Sequence, residues 1–156
     1  MRWVVVACVS AILAWPATQA RADQAQDEAA IKALNVTFAA AMVAKDSVKR
    51  ASIWEQEGTL LPPNAGYVTG RLAIEKHFDT EAPEFTADSE ASFSNYRFDF
   101  VTRNLAFVDA DLTVRNILGP DQKLLAVASV KVVFLAERRQ GKWWVRDERA
   151  HYAPQP

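Results

Sequence analysis

The segment Lys142–Tyr152, KWWVRDERAHY, sets acids, bases, a histidine and aromatic residues within one short stretch. In an extended strand, where side chains alternate between faces, it gives one row of Trp143, Val145, Asp147, Arg149 and His151 and another of Trp144, Arg146, Glu148, Ala150 and Tyr152. Residues two apart are separated by roughly 6.6 Å and residues four apart by roughly 13 Å, at about 3.3 Å per residue. Asp147 and His151 therefore do not meet directly, whereas Arg149 between them can pair with Asp147 and keep that carboxylate ionised. The chemistry on offer is proton transfer, with His151 as acceptor, Arg149 as anchor for an anionic or carbonyl oxygen, and Asp147 as the orienting group. The rival reading is structural: a buried Asp–Arg pair that fixes the end of a strand. Each row begins apolar and ends titratable, which a half-buried strand over an ordinary core does not do.

Other residues invite lesser roles. His77 falls three positions after Ile74 on a helical segment and is read either as a residue at a pocket mouth or as a satisfied boundary histidine. Trp54 follows Val48 and Ala51 at helical spacing, so it is core first and pocket wall second. Tyr67 lies among turn residues and brings a hydroxyl. Asp109 and Asp111 resemble a carboxylate pair, but Val108, Ala110, Leu112 and Val114 make the apolar row of their strand, which turns both acids outward.

The elements that position these groups follow from periodicity. Ile31, Leu34, Phe38, Ala41 and Met42 recur at spacings of three and four, predicting an amphipathic helix from Asp23, its N-cap, to about Lys45. Ser47 caps a second helix through Val48, Ala51 and Trp54, ended by Gly58. GTLLPPNAGYVTG reads as two short strands about a turn, and Thr69 then caps a third helix with Ile74, His77 and Phe78 on one side. SFSNYRFDFV, LAFVDADLTVRNIL, LLAVASVKVVFLAERR and KWWVRDERAHY form four long strands joined by short turns, hence antiparallel neighbours. Asn35-Val36-Thr37 matches a glycosylation acceptor but falls within a helix.

The first 22 residues stand apart. MRWVVVACVSAILAWPATQARA has an early Arg2, an apolar run from Trp3 to Trp15, a breaking Pro16 and small residues at Ala20 and Ala22. That is the pattern of a secretory signal peptide cleaved after Ala22, and the run is well short of the roughly twenty residues of a membrane span. Residues 23–156 then form one domain, secreted or periplasmic, with no membrane attachment after cleavage. Removing Arg2 and Arg21 from 18 basic residues leaves 16 against 19 acidic ones, a formal charge of −3, which argues against nucleic-acid partners. Cys8, the single cysteine, leaves with the leader, so disulfides, thiolate nucleophiles and cysteine metal sites are excluded from the mature chain.

AAMVAKDSVKRASIWEQEGTLLPP, GYVTGRLAIEKHF and GKWWVRDERAHY, in this order and spacing, resemble the SnoaL-like branch of the nuclear transport factor 2-like superfamily, over about Asp27 to Tyr152. The resemblance implies an α+β cone: a strongly curved antiparallel sheet wrapped around three N-terminal helices, with an internal pocket open at one end. It also implies a homodimer packed through the outer sheet face. The last strand would line the cone, with Trp143 and Val145 at its closed end and Asp147, Arg149 and His151 toward its mouth. Some similar exported proteins carry an SgcJ/EcaC-type oxidoreductase label. The sequence holds no Gly-rich dinucleotide loop, flavin signature or His-Glu-x-x-His, so neither a cofactor nor a metal is expected.

Function stays open among three classes: a cofactor-independent acid–base enzyme (isomerase, cyclase or dehydratase type) acting on a small carbonyl or polycyclic compound, a binding module for an apolar small molecule, and a dimeric assembly or inhibitory domain.

Overall fold

The structure, a computed structural model, describes residues 15–80, 84–118 and 123–153. The apolar run of the leader lies almost wholly outside them. Helix α1 spans Trp15–Val43 and α2 spans Ser47–Ala51. Strands β1 (Trp54–Leu61) and β2 (Val68–Thr69) follow, then α3 (Arg71–Thr80) and the long strands β3 (Glu84–Thr102), β4 (Leu105–Leu118), β5 (Leu124–Arg139) and β6 (Lys142–Tyr152). They form one six-stranded sheet in the order β2-β1-β6-β5-β4-β3. The expected α+β architecture is present, with one correction: β1 runs parallel to β6, so the sheet is mixed rather than antiparallel throughout.

Three local expectations also change. Asp23 lies inside α1 rather than at its start. The second helix stops at Ala51, where the Ser52 amide donates to the Lys49 carbonyl, and Trp54 opens β1; Asp46, not Ser47, is its N-cap, and the Asp46 carboxylate accepts from the Lys49 amide at 2.8 Å. The chain then turns after a single helical turn. Thr69 belongs to β2, and Gly70, at φ +91°, leads into α3 with its carbonyl accepting from the Ile74 amide. Only glycine takes that backbone conformation without strain.

Long strands curve when residues are inserted into them. Pairing shifts within β3–β4 near Asn95, whose φ of +53° marks one such insertion. The β5–β6 hairpin closes through Gln140 and Gly141, both at positive φ, the geometry of a two-residue turn matched to strand twist. Helices lie against the inner face, and the core is built there: Ile31, Phe38 and Met42 from α1, Ile74 and Phe78 from α3, and Val108, Phe134, Trp143 and Val145 from the sheet. Trp54 is fully buried, its ring 5.7 Å from those of both Phe38 and Phe78. At the other end of α1, the Asp27 carboxylate accepts from Trp143 Nε1 at 2.9 Å and Arg138 Nη1 at 3.0 Å, tying the helix to β5 and β6.

β1 carries the sharpest irregularity. Trp54 pairs with Val145 and Thr59 with Asp147, so the strand loops out between them while its partner advances two residues. Gly58 makes this possible, because a Cβ there would stand 3.0 Å from both the Glu55 carbonyl and the Trp54 ring. Gly58→Ala is expected to lower stability by about 1–3 kcal/mol through overpacking, read as a fall in the urea midpoint at unchanged slope.

Candidate functional site

β6 does not keep one face along its length. Val145 pairs with Ala136 and Asp147 with Leu135, so Arg146 has no partner opposite it and forms a bulge. Beyond it the faces exchange. Trp143 and Val145 are buried before the bulge, and Glu148 is buried after it, at 7% exposure. Arg146 turns outward, and its Nη1 donates to Glu137 Oε2 at 2.7 Å.

The inward row after the bulge, Glu148, Ala150 and Tyr152, lines a cavity of about 300 Å³. Its walls are apolar, formed by Phe38 and Met42 of α1, Leu60 of β1, Phe78 of α3, Leu112, Val114 and Ile117 of β4, and Val130 and Val132 of β5. A few polar groups converge on it: Arg50, Asn64, His77, Glu148 and Tyr152. Arg50 is buried, with its guanidinium carbon 3.8 Å from the centre of the Phe78 ring and 4.7 Å from that of Phe38. Aromatic faces of this kind stabilise a desolvated cation. His77 Nε2 is enclosed and has no hydrogen-bond partner among the described residues. At the rim, Asn64 Nδ2 donates to Tyr152 Oη at 2.9 Å.

The residues expected to do chemistry distribute differently. Asp147, Arg149 and His151 do not face the cavity; the bulge puts them on the opposite side of the sheet from Glu148 and Tyr152. Arg149 Nε donates to Asp147 Oδ1 at 3.3 Å, with side-chain exposures of 61% and 35%, and His151 is exposed opposite Lys131. The Asp–Arg contact is real but lies at the surface, where such pairs contribute little. Trp54 is core, behind the two phenylalanines that form the wall. Tyr67 is exposed in the β1–β2 loop and does not line the cavity. His77 does line it. Asp109 and Asp111 face outward as expected, and hydrogen bonds from Asn95 and then Lys131 hold the Asp111 carboxyl below its ordinary range. Asn35, of the glycosylation-like triplet, is 2% exposed and donates to Tyr96 Oη, which leaves no room for a glycan.

Glu148 and Arg50 are the site residues that sequence reasoning missed. Glu148 had a signal: a row that begins with Trp143 and Val145 and ends with Asp147, Arg149 and His151 is what one inserted residue produces. Arg50 had none, because a basic residue in a five-residue helix reads as solvated. Among the described residues, no group of three or more His, Cys, Asp or Glu side chains could hold a metal ion, and no helix is long and apolar enough to cross a membrane.

A six-stranded mixed, open sheet covered on one face by three helices, with a cavity between them, is the nuclear transport factor 2-like α+β fold. Solved structures bear this out. A nuclear transport factor 2-like protein with a cystatin-like fold from Novosphingobium aromaticivorans superposes with a TM-score of 0.74 at 12% identity, covering 94% of each chain. Hexachlorocyclohexane dehydrochlorinase LinA-type3 from Novosphingobium barchaimii LL02 gives 0.74 at 17% identity, covering 86% of this chain and 91% of that one. A provisionally assigned scytalone dehydratase from N. aromaticivorans DSM 12444 gives 0.73 at 14% identity, covering 86% and 89%. No family model and no curated protein matches the sequence.

Glu137 holds the bulged Arg146. Burial pushes its carboxyl up, and hydrogen bonds from Arg139 and Arg146 more than reverse this, leaving it below the ordinary glutamate range. A carboxylate with a lowered folded value contributes stability that is present above its unfolded value and lost as pH falls through the folded one. Glu137→Gln is therefore expected to be less stable than the parent at neutral pH and to lose less on acidification. Denaturant midpoints between pH 7 and pH 3 check this, and parallel curves would contradict it.

Proposed function

We propose that the chain is an acid–base enzyme acting on a small, mostly apolar carbonyl compound held in the cavity. Glu148 takes a proton from carbon, and Arg50 opposes negative charge on a substrate oxygen. The observation that carries this reading is the position of Glu148, a carboxylate 7% exposed on the wall of an apolar cavity. Burying a charge there costs stability, and acids are almost never so enclosed unless they are paired.

The chemistry follows from the groups present. Glu148 removes a proton from the carbon next to a carbonyl, and the electron pair left behind moves toward the carbonyl oxygen, opposite the guanidinium. Return of the proton to a different carbon gives an isomer. Departure of a group from the neighbouring carbon gives an elimination, in which His77, on the same cavity wall, protonates a leaving oxygen. Relatives in fold named as a dehydratase and a dehydrochlorinase support the elimination branch.

In D2O the protein is expected to accelerate deuterium uptake next to the carbonyl of 4-phenylcyclohexanone, followed by proton NMR. Glu148→Gln should lower that acceleration by about a hundredfold or more. Equal exchange in the variant would leave the cavity as that of a binding module.

We also propose that the enzyme works outside the cytoplasm as a homodimer. The leader pattern supports export, and Arg21, Ala22 and Asp23 are exposed, so a cut after Ala22 leaves Ile31, the first fully buried residue described in α1, in place. Phe107, Val127 and Val133, 49%, 50% and 36% exposed on the outer sheet face, support a partner copy there. Material recovered from the exported fraction should have a mass beginning at Asp23 and scatter light as twice that mass. A retained leader or a clean monomer would contradict the respective half.

A further inference from the structure

The polar groups of the cavity divide by burial. Arg50 and Glu148 are buried on its wall, whereas Asn64 and Tyr152, hydrogen-bonded to each other, are exposed. Glu148 and Tyr152 share the inward row of β6, four residues and thus roughly 13 Å apart, with only the small Ala150 between them. Opposite that span β5 contributes apolar side chains, Val130 paired with Tyr152 and Val132 with Ala150. Nothing polar interrupts the walls along the inward row between Glu148 and Tyr152.

The Tyr152 hydroxyl is already oriented. Its oxygen accepts from Asn64 Nδ2 at 2.9 Å, and its own hydrogen makes no bond among the described residues. A phenol both accepts and donates, so the remaining donor is available to a ligand oxygen at the rim. Arg50 and Glu148 carry one formal positive and one formal negative charge, so a neutral ligand brings no uncompensated charge into an apolar space.

Resting on Glu148 as proton acceptor, we propose that the substrate is a neutral, elongated molecule of one or two rings, with its reactive carbonyl at one end and a hydrogen-bonding oxygen at the other. Tyr152, held by Asn64, is then a specificity-determining residue: it donates to the far oxygen and sets which molecules are admitted in the productive direction.

Two neutral probes separate the claims: 4-phenylcyclohexanone, with an oxygen at one end only, and 4-(4-hydroxyphenyl)cyclohexanone, with oxygens at both. By isothermal titration calorimetry the second should bind about tenfold more tightly, the value of one hydrogen bond. Tyr152→Phe should bring the ratio of the two affinities close to one, and Asn64→Ala should reduce it. Ala150→Leu, which fills the span between Glu148 and Tyr152, should abolish binding of both. Equal affinity of the two ketones for the parent, a ratio preserved in Tyr152→Phe, or no saturable binding of either overturns the proposal. Deuterium exchange is read in the same samples. Glu148-dependent exchange without discrimination at the rim overturns this proposal alone, whereas discrimination without Glu148-dependent exchange overturns the acid–base reading and leaves the rim contact standing.

Discussion

One unpaired residue, Arg146, sets the character of the cavity. Side-chain direction in a strand has a period of two, so a single insertion exchanges the faces of everything beyond it. Before the bulge β6 faces inward with Trp143 and Val145, which seal the core; after it the same strand faces inward with Glu148, Ala150 and Tyr152, which line the cavity. One strand thus serves two environments. Without the insertion Asp147, Arg149 and His151 would crowd the interior, and Glu148 would lie in water.

The rest of the architecture holds that switch in place. β1 and β6 pair in parallel, and β1 has its own looped-out residues at the same level, accommodated by Gly58. The bulged Arg146 is drawn outward by Glu137, itself shared with Arg139. Below, Asp27 clamps α1 to β5 and β6, so that Phe38 and Met42, further along the helix, reach the cavity wall. Phe38 and Phe78 do double service: they pack on Trp54 in the core and present their faces to Arg50 at the cavity. A buried cation and a buried carboxylate in an otherwise apolar space are costly to fold around.

Most of the fold was legible because apolar periodicity reports burial directly. Ile31, Phe38 and Met42 marked α1, and Val108, Ala110, Leu112 and Val114 marked the inner row of β4. What escaped were features set by long-range pairing. Trp54 kept helical spacing from Val48, yet Asp46 capped a helix of five residues and tertiary pairing with Val145 drew Trp54 into a strand. The parallel pairing of β1 with β6 joins segments far apart in sequence, which no local signal encodes. The site was half legible. His77 lines the cavity as one reading held, but the chemistry read from Asp147, Arg149 and His151 assumed unbroken alternation, and no glycine or proline announces the bulge in VRDE.

Cysteine accessibility along β6 tests the face exchange most directly. In a background with Cys8, the single native cysteine, replaced by serine, single-cysteine variants at each position from Asp147 to Tyr152 are labelled with a methanethiosulfonate reagent, with and without 4-phenylcyclohexanone. Slow labelling and ketone protection at positions 148 and 150, with fast, unprotected labelling at 147, 149 and 151, is the predicted pattern. Protection at 147, 149 and 151 instead would mean that β6 keeps its alternation, and that Glu148 is not in the cavity.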